Sequence, residues 1–332
     1  MHGSVTILCH DGDVPAIPMI DVTGIGSAEA DRRIARELLT AYGSLGFGYV
    51  IGHPIDPSLI DAVFAESRRF HALSMDDKLR IRVNAQHRGY IPSKSSTDVN
   101  SSVETVTKPN LSESFMMLRE AGPEDPDVLD GTYLAGANQW PDLPGFRETL
   151  LAYDAAMGAF AARLIAVFDA ALGAEGSLAA TFHPATTWLR LLHYPPQDPQ
   201  SPEDEYGSAP HTDFGAITLL AQDDVGGLSV KSADGSWVDV PPVTGSFVLN
   251  VGDMLHRMSN GLLRSTPHRV TNRTGRERFS IPFFYDPHVN TVIEPLASTT
   301  RSALPDFEPI VYAEWLRAEL EASYDDHRAG TR

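Results

Sequence analysis

The stretch PHTDFGAITLLAQ, residues 210–222, decides how this chain is read. Ile217, Thr218, Leu219 and Leu220 form a short β-prone run between Pro210 and the polar Gln222, Asp223 and Asp224, so the pattern predicts extended backbone over 210–220. In extended backbone, residues two apart share a face at about 6.5–7 Å. His211 and Asp213 can therefore close on one ion, whereas on a helix they would diverge. The same strand-like pattern recurs at 187–194, 228–230, 237–240 and 246–251, with Asp234-Gly235 and Asn260-Gly261 marking tight turns. Many short strands with regular turn signals predict a sandwich or jelly roll, the architecture also used by cupins.

Farther on, 265–270 and 278–284 flank a polar loop containing Gly275 and read as two antiparallel strands joined by a short turn. That pairing would set Arg278 beside His268. His211, Asp213 and His268 then supply two imidazoles and one carboxylate, the ligand set of non-haem Fe(II) centres that leave positions open for O2 and a cosubstrate. Zinc or nickel accepts the same set, which leaves open a cupin-type hydrolase, isomerase or binding protein. Arg278 and Ser280 share a face, and a guanidinium fork with a hydroxyl beside it suits a carboxylate. A small dicarboxylate such as 2-oxoglutarate fits that pair.

Composition narrows the field. The chain has 332 residues and a formal charge of −18, with no dense Lys/Arg run, which argues against nucleic acid as substrate. Cys9 is the only cysteine, so an intrachain disulfide and a cysteine-held iron-sulfur cluster are both excluded, as suits a reducing cytoplasm. Residues 1–13 lack a basic region followed by a long apolar stretch, and no later run reaches about 18 consecutive apolar residues. A soluble, cytoplasmic chain with no membrane partner is expected; oligomeric state is not legible.

One domain is expected over 1–332, with an N-terminal helical and strand region at about 14–120, a metal-binding core at about 180–290 and a C-terminal helix at about 305–324. Pro18 limits the strand at 17–22 to an edge or terminal position. Ser27 can cap a helix running to about Tyr42; 46–51 reads as a strand and 58–73 as a second helix. Residues 84–111 are polar and poorly periodic and read as a long loop. Over 146–172, apolar residues recur at three and four, and Gly173 follows as a stop. A helix over 309–324 is expected to pack outside the core. His193 reads as a pocket or packing residue rather than a ligand, and Gly252-Asp253 as a turn that disqualifies His256 as a ligand.

The motifs His193-Tyr194-Pro195-Pro196, His211-Thr212-Asp213, Asn250-Val251-Gly252-Asp253, Ser259-Asn260-Gly261, His268-Arg269-Val270 and Arg278-Phe279-Ser280 fall in one order. With Ile17-Pro18-Met19-Ile20-Asp21, Gly46-Phe47-Gly48-Tyr49-Val50 and Arg88-Gly89-Tyr90 upstream, nearly the whole chain resembles the isopenicillin N synthase-like branch of the Fe(II)/2-oxoglutarate-dependent oxygenases. The resemblance implies a mixed α and β fold with a mainly β core, a double-stranded β-helix with helices packed outside. It implies iron held by His211, Asp213 and His268, and 2-oxoglutarate gripped by Arg278 and Ser280 with Tyr194 reaching it. The implied activity is oxidation, most simply hydroxylation, of a small molecule, with release of succinate and CO2. An oxidase of the same branch that does not consume 2-oxoglutarate shares these residues and stays open. Arg190, on the face of Tyr194 by alternation, could touch either ligand. Arg88, Tyr90 and Phe115 are substrate-contact candidates by family position, and Phe283 is one as a residue read onto the face of Arg278 and Ser280.

Overall fold

The structure, a computed structural model, describes residues 6–7, 17–101, 103–300 and 306–324. Cys9 and the rest of the stretch before Ile17 lie outside the described residues, apart from Thr6 and Ile7. The first half runs β1 (Thr6–Ile7), β2 (Pro18–Asp21), α1 (Ala28–Ser44), β3 (Phe47–Ile51), α2 (Pro57–His71), α3 (Met75–Leu79), β4 (Gly89–Ile91), β5 (Glu113–Leu118) and α4 (Pro126–Leu129). The long helix α5 (Phe146–Leu172) and the short α6 (Ser177–Ala180) lead into β6 (Thr186–Tyr194), β7 (Ser208–His211), β8 (Ile217–Gln222), β9 (Leu228–Lys231), β10 (Trp237–Asp239) and β11 (Ser246–Val251). Then come α7 (Asp253–Met258), β12 (His268–Val270), β13 (Arg278–Asp286), the paired β14 (Val292–Ile293) and β15 (Ile310–Val311), and α8 (Tyr312–Ser323).

Local chemistry sets the long helices. Ser27 caps α1 by accepting from the Ala30 N–H, and Ile34, Leu38, Ala41 and Tyr42 are its buried stripe. Asp56 caps α2 and Pro57 occupies its first turn, where a missing N–H costs nothing. Helix α5 ends at Gly173 in the left-handed region, φ 66°, as its sequence signals. It is long and apolar enough to cross a membrane, yet it lies against α1 and α2 with half of its apolar stretch buried in the fold.

Two sheets carry the β core. The larger has nine strands in the order β1-β2-β3-β11-β8-β13-β6-β5-β4, and the smaller has four in the order β10-β9-β12-β7. Leu192, Tyr194, Val230, Val248 and Val270 fill the space between them, while the other face of the large sheet carries the helices over Phe115, Leu189 and Phe283. This is the double-stranded β-helix implied by the resemblance, consistent with the jelly roll expected from the strand pattern. Because β2 and β3 extend the same large sheet, the N-terminal region is built into the core rather than appended to it.

Three expectations are corrected. Residues 84–111 contain β4, paired with β5, because polar residues there are satisfied by distant partners that a single stretch does not reveal. Strands β12 and β13 do not form a hairpin: β12 pairs with β7 and β9, and β13 pairs with β6 and β8 in the opposite sheet. The strand carrying His211 stops there, and Asp213 lies in the connection to β8. Helix α8 packs outside the β core as expected, and its buried Tyr312, Leu316 and Leu320 wall a cavity beside that connection.

Candidate metal centre and anion pocket

Register brings the two imidazoles together. His211, the last residue of β7, stands directly across from His268, the first of β12, and their rings are 4.3 Å apart between centroids. The connection after His211 then folds back on itself. Asp253 N–H donates to the Asp213 carbonyl and Ala216 N–H to Asp286 Oδ1, each at 2.8 Å. Gly215 is obligatory in this turn, because a Cβ there would lie 1.7 Å from Asp286 Oδ1. The turn delivers Asp213 Oδ1 to 3.8 Å from His211 Nε2 and 3.7 Å from His268 Nε2, and the three donor atoms lie within 4.8 Å of one another.

The remaining atoms of these side chains are committed in ways that leave the donors free. His211 Nδ1–H donates to the Ala209 carbonyl at 2.7 Å and His268 Nδ1–H to the Thr266 carbonyl at 3.4 Å, so both Nε2 lone pairs face the centre. Asp213 Oδ2 accepts from Asn250 Nδ2 at 2.6 Å and from the Thr218 hydroxyl, which turns Oδ1 inward. Burial holds His268 down to about 4 and keeps it neutral at pH 7, as a metal ligand must be. Burial alone would raise the Asp213 carboxyl, but the facing imidazoles and the two hydrogen bonds outweigh it and hold it below the usual carboxylate range. Two neutral imidazoles and one ionised carboxylate on one side of an ion are what an Fe(II) centre with open positions requires.

Across the cavity, in the opposite sheet, Arg278 opens β13 opposite Tyr194 of β6. It is fully buried, with its guanidinium 4.6 Å over the Tyr194 ring. Its Nη1 donates to Ser280 Oγ at 3.2 Å and its Nη2 to Gln222 Oε1 at 3.1 Å, while Nε has no partner. No carboxylate pairs with it among the described residues. A buried guanidinium without a counter-charge is costly, so the pocket is built for an anion brought from outside.

The triad, Arg278, Ser280 and Tyr194 line one cavity between the sheets, and a second compartment opens on the other side of His211 and Asp213. Arg190 lines both.

The other sequence candidates sit elsewhere. Arg88 is fully buried and spends its guanidinium on the Leu134 and Gln86 carbonyls and Asn138 Oδ1, so it is scaffold. Tyr90 donates to buried Glu113, and Phe115 packs its ring against Phe70 and Phe146 under the helices. Phe283 is also wrong by parity: Arg278, Ser280, Pro282 and Phe284 face the cavity, and Phe283 faces the helices. His193 packs as expected, stacked on Phe279 and donating to Glu113. His256 donates Nδ1–H to the Leu263 carbonyl, and Gly252-Asp253 starts α7 rather than making a simple turn. Thr218, Gln222, Asn250 and Phe284 were missed as site residues; strand alternation alone could have found Phe284.

Residues 185–287 match the 2OG-Fe(II) oxygenase superfamily, and residues 17–143 match the N-terminal region described as non-haem dioxygenase in morphine synthesis. The "2-oxoglutarate-Fe(II) type oxidoreductase hxnY" of Emericella nidulans is 37% identical, covering 84% of this chain and 81% of that protein. The chain belongs to the 2OG-Fe(II) oxygenases. A crystal structure of a full-length Neurospora crassa protein with alpha-KG and thymine overlays on this oxygenase with a TM-score of 0.80 at 28% identity, covering 96% of this chain and 99% of that one. JOX2 in complex with 2OG, Fe and JA overlays at 0.75 and 26% identity, covering 93% and 89%. The oxygenase is thus an Fe(II)- and 2-oxoglutarate-dependent dioxygenase that oxidises a small molecule with release of succinate and CO2. The family that matches and the relatives named here are iron and 2-oxoglutarate proteins rather than zinc or nickel hydrolases.

Proposed function

We propose that His211, Asp213 and His268 hold the iron, that Arg278 with Ser280 and Tyr194 grips the distal carboxylate of 2-oxoglutarate, and that the substrate occupies the adjoining compartment and is hydroxylated there. The observation that carries this reading is the buried Arg278 guanidinium, uncompensated by any described carboxylate, lining the same cavity as the triad. When bound, iron with 2-oxoglutarate supplies an oxidant strong enough for an unactivated C–H bond. The chain's own work is to hold and exclude. Asn250 and Thr218 fix which Asp213 oxygen faces the ion, the β7–β12 register fixes the imidazoles, and Arg278 fixes the far end of the cosubstrate. Trp188, Phe214, Phe284, Leu316 and Leu320 keep the substrate compartment poor in water.

The net charge of −18 supports a substrate that is neither nucleic acid nor another polyanion, and the burial of α5 supports a chain without a membrane partner. A reducing cytoplasm suits both an Fe(II) centre and a chain with one cysteine.

The test is anaerobic. Fe(II) and 2-oxoglutarate together should develop a charge-transfer absorption in the wild-type protein, and Arg278→Ala should raise the 2-oxoglutarate dissociation constant about 100-fold, consistent with two lost charge-assisted hydrogen bonds. An unchanged constant in Arg278→Ala would remove Arg278 from this role.

A further inference from the structure

Arg190 is a second cation with no paired carboxylate among the described residues. Its Nε donates to Ser114 Oγ at 2.9 Å and its Nη1 to the Tyr324 hydroxyl at 3.5 Å, both neutral acceptors, and Nη2 has no partner among the described residues. Besides the candidate metal ligand Asp213, the carboxylates Asp98 and Asp286 line the substrate compartment, and each is engaged elsewhere. Asp98 accepts from Asn110 Nδ2 at 3.0 Å, and Asp286 accepts from the Ala216 N–H and from the Tyr312 hydroxyl at 3.0 Å.

Strand geometry separates this cation from Arg278. Along β6 the cavity face carries Trp188, Arg190, Leu192 and Tyr194 in alternation, and Arg278 stands across from Tyr194. Four residues of extended backbone put the Cα atoms of Arg190 and Tyr194 about 13 Å apart. The two guanidiniums therefore serve different ends of the cavity. Arg190 stands at the junction with the substrate compartment, whose apolar wall is made by Trp188, Phe214, Phe284, Leu316 and Leu320, with Ser96, Asn110 and Ser323 among its polar lining.

We propose that the primary substrate is a monocarboxylic acid with an apolar body and that Arg190 anchors its carboxylate. One guanidinium matches one negative charge. A phosphate or a dicarboxylate would bring a second charge toward Asp98, and among the described residues no Lys or Arg besides Arg190 lines the compartment to meet it. The apolar walls would take the body of the acid. This inference rests on the assignment of Arg278 to 2-oxoglutarate, since the rival source of a carboxylate for Arg190 is the cosubstrate itself.

Anaerobic calorimetry on the Fe(II)-loaded protein separates these cases. After saturation with 2-oxoglutarate, the matched probes 3-phenylpropionate and 3-phenylpropionamide are titrated into wild type, Arg190→Gln and Arg190→Lys. The acid is expected to bind wild type at least about tenfold more tightly than the amide. Arg190→Gln should abolish that preference and Arg190→Lys should keep part of it, with the 2-oxoglutarate constant and the melting temperature of both variants close to wild type. Equal affinity for acid and amide in wild type, or no binding of either, overturns the proposal. So does a loss of 2-oxoglutarate affinity in Arg190→Gln comparable to that of Arg278→Ala, which would assign Arg190 to the cosubstrate. Failure of wild type to bind 2-oxoglutarate at all would instead overturn the cosubstrate assignment on which the inference stands.

Discussion

Asp213 shows how much of a metal site lies outside its ligands. One oxygen faces two imidazoles while the other is pinned by Asn250 and Thr218, so the carboxylate cannot rotate to present both to an ion. Groups that orient a ligand in this way typically govern metal affinity by about 10–100-fold. Asn250→Ala is accordingly expected to raise the Fe(II) dissociation constant by about that factor in an anaerobic metal titration; an unchanged constant would mean that Thr218 alone suffices. The contrast between Phe283 and Phe284 makes a second point about single residues. Adjacent on one strand, one lies under the helices and the other faces the cavity, because alternate side chains leave a strand on opposite faces.

Strand pairing, more than strand identity, builds the pocket. The sequence marks β12 and β13 clearly but does not say that they belong to different sheets. That separation is what creates a cavity with metal ligands on one wall and Arg278 on the other. Helix α8 closes the substrate side, tied to the core where the Tyr312 hydroxyl donates to Asp286 Oδ2 at 3.0 Å. Tyr312→Phe removes this tie and is expected to cost about 1–3 kcal/mol. The melting temperature should fall and the substrate KM should rise, with 2-oxoglutarate affinity unaltered; a KM that stays at the wild-type value would show that α8 does not shape the compartment.

The N-terminal region and the β core are joined by a buried polar knot. Glu113 of β5 accepts from Lys78 of α3 at 2.9 Å, from His193 of β6 at 2.8 Å and from Tyr90 of β4. Burial alone would raise this carboxyl, yet the hydrogen bonds from His193, Tyr90 and Lys78 outweigh it and hold it down to about 2. A folded value below the unfolded one means that the stabilisation is fully present above about pH 4.5 and is lost as the pH falls toward 2. Glu113→Gln should lower stability at pH 7 by about 3–5 kcal/mol, since Lys78 is left buried and unpaired, and should flatten the decline between pH 4.5 and 2. Urea unfolding at pH 7, 4.5 and 3 reads both effects; equal stability of the two proteins at pH 7 would show that the knot is replaceable.

Much of this was legible in the residues. The candidate ligands His211, Asp213 and His268 and the Arg278-Ser280 pair show as sequence motifs, and the capped helix α1, the bounds of α5 and the strand-rich core follow from periodicity and local capping, which depend on near neighbours. The β4 strand, the Asp213 clamp, the wall made by α8 and the scaffold role of Arg88 do not, because each rests on partners tens of residues away whose identity appears only when the chain is closed. Local interactions determine which segments are strands and helices; which strand lies beside which, and so which side chains meet in the cavity, is settled by burying the whole set of apolar faces at once.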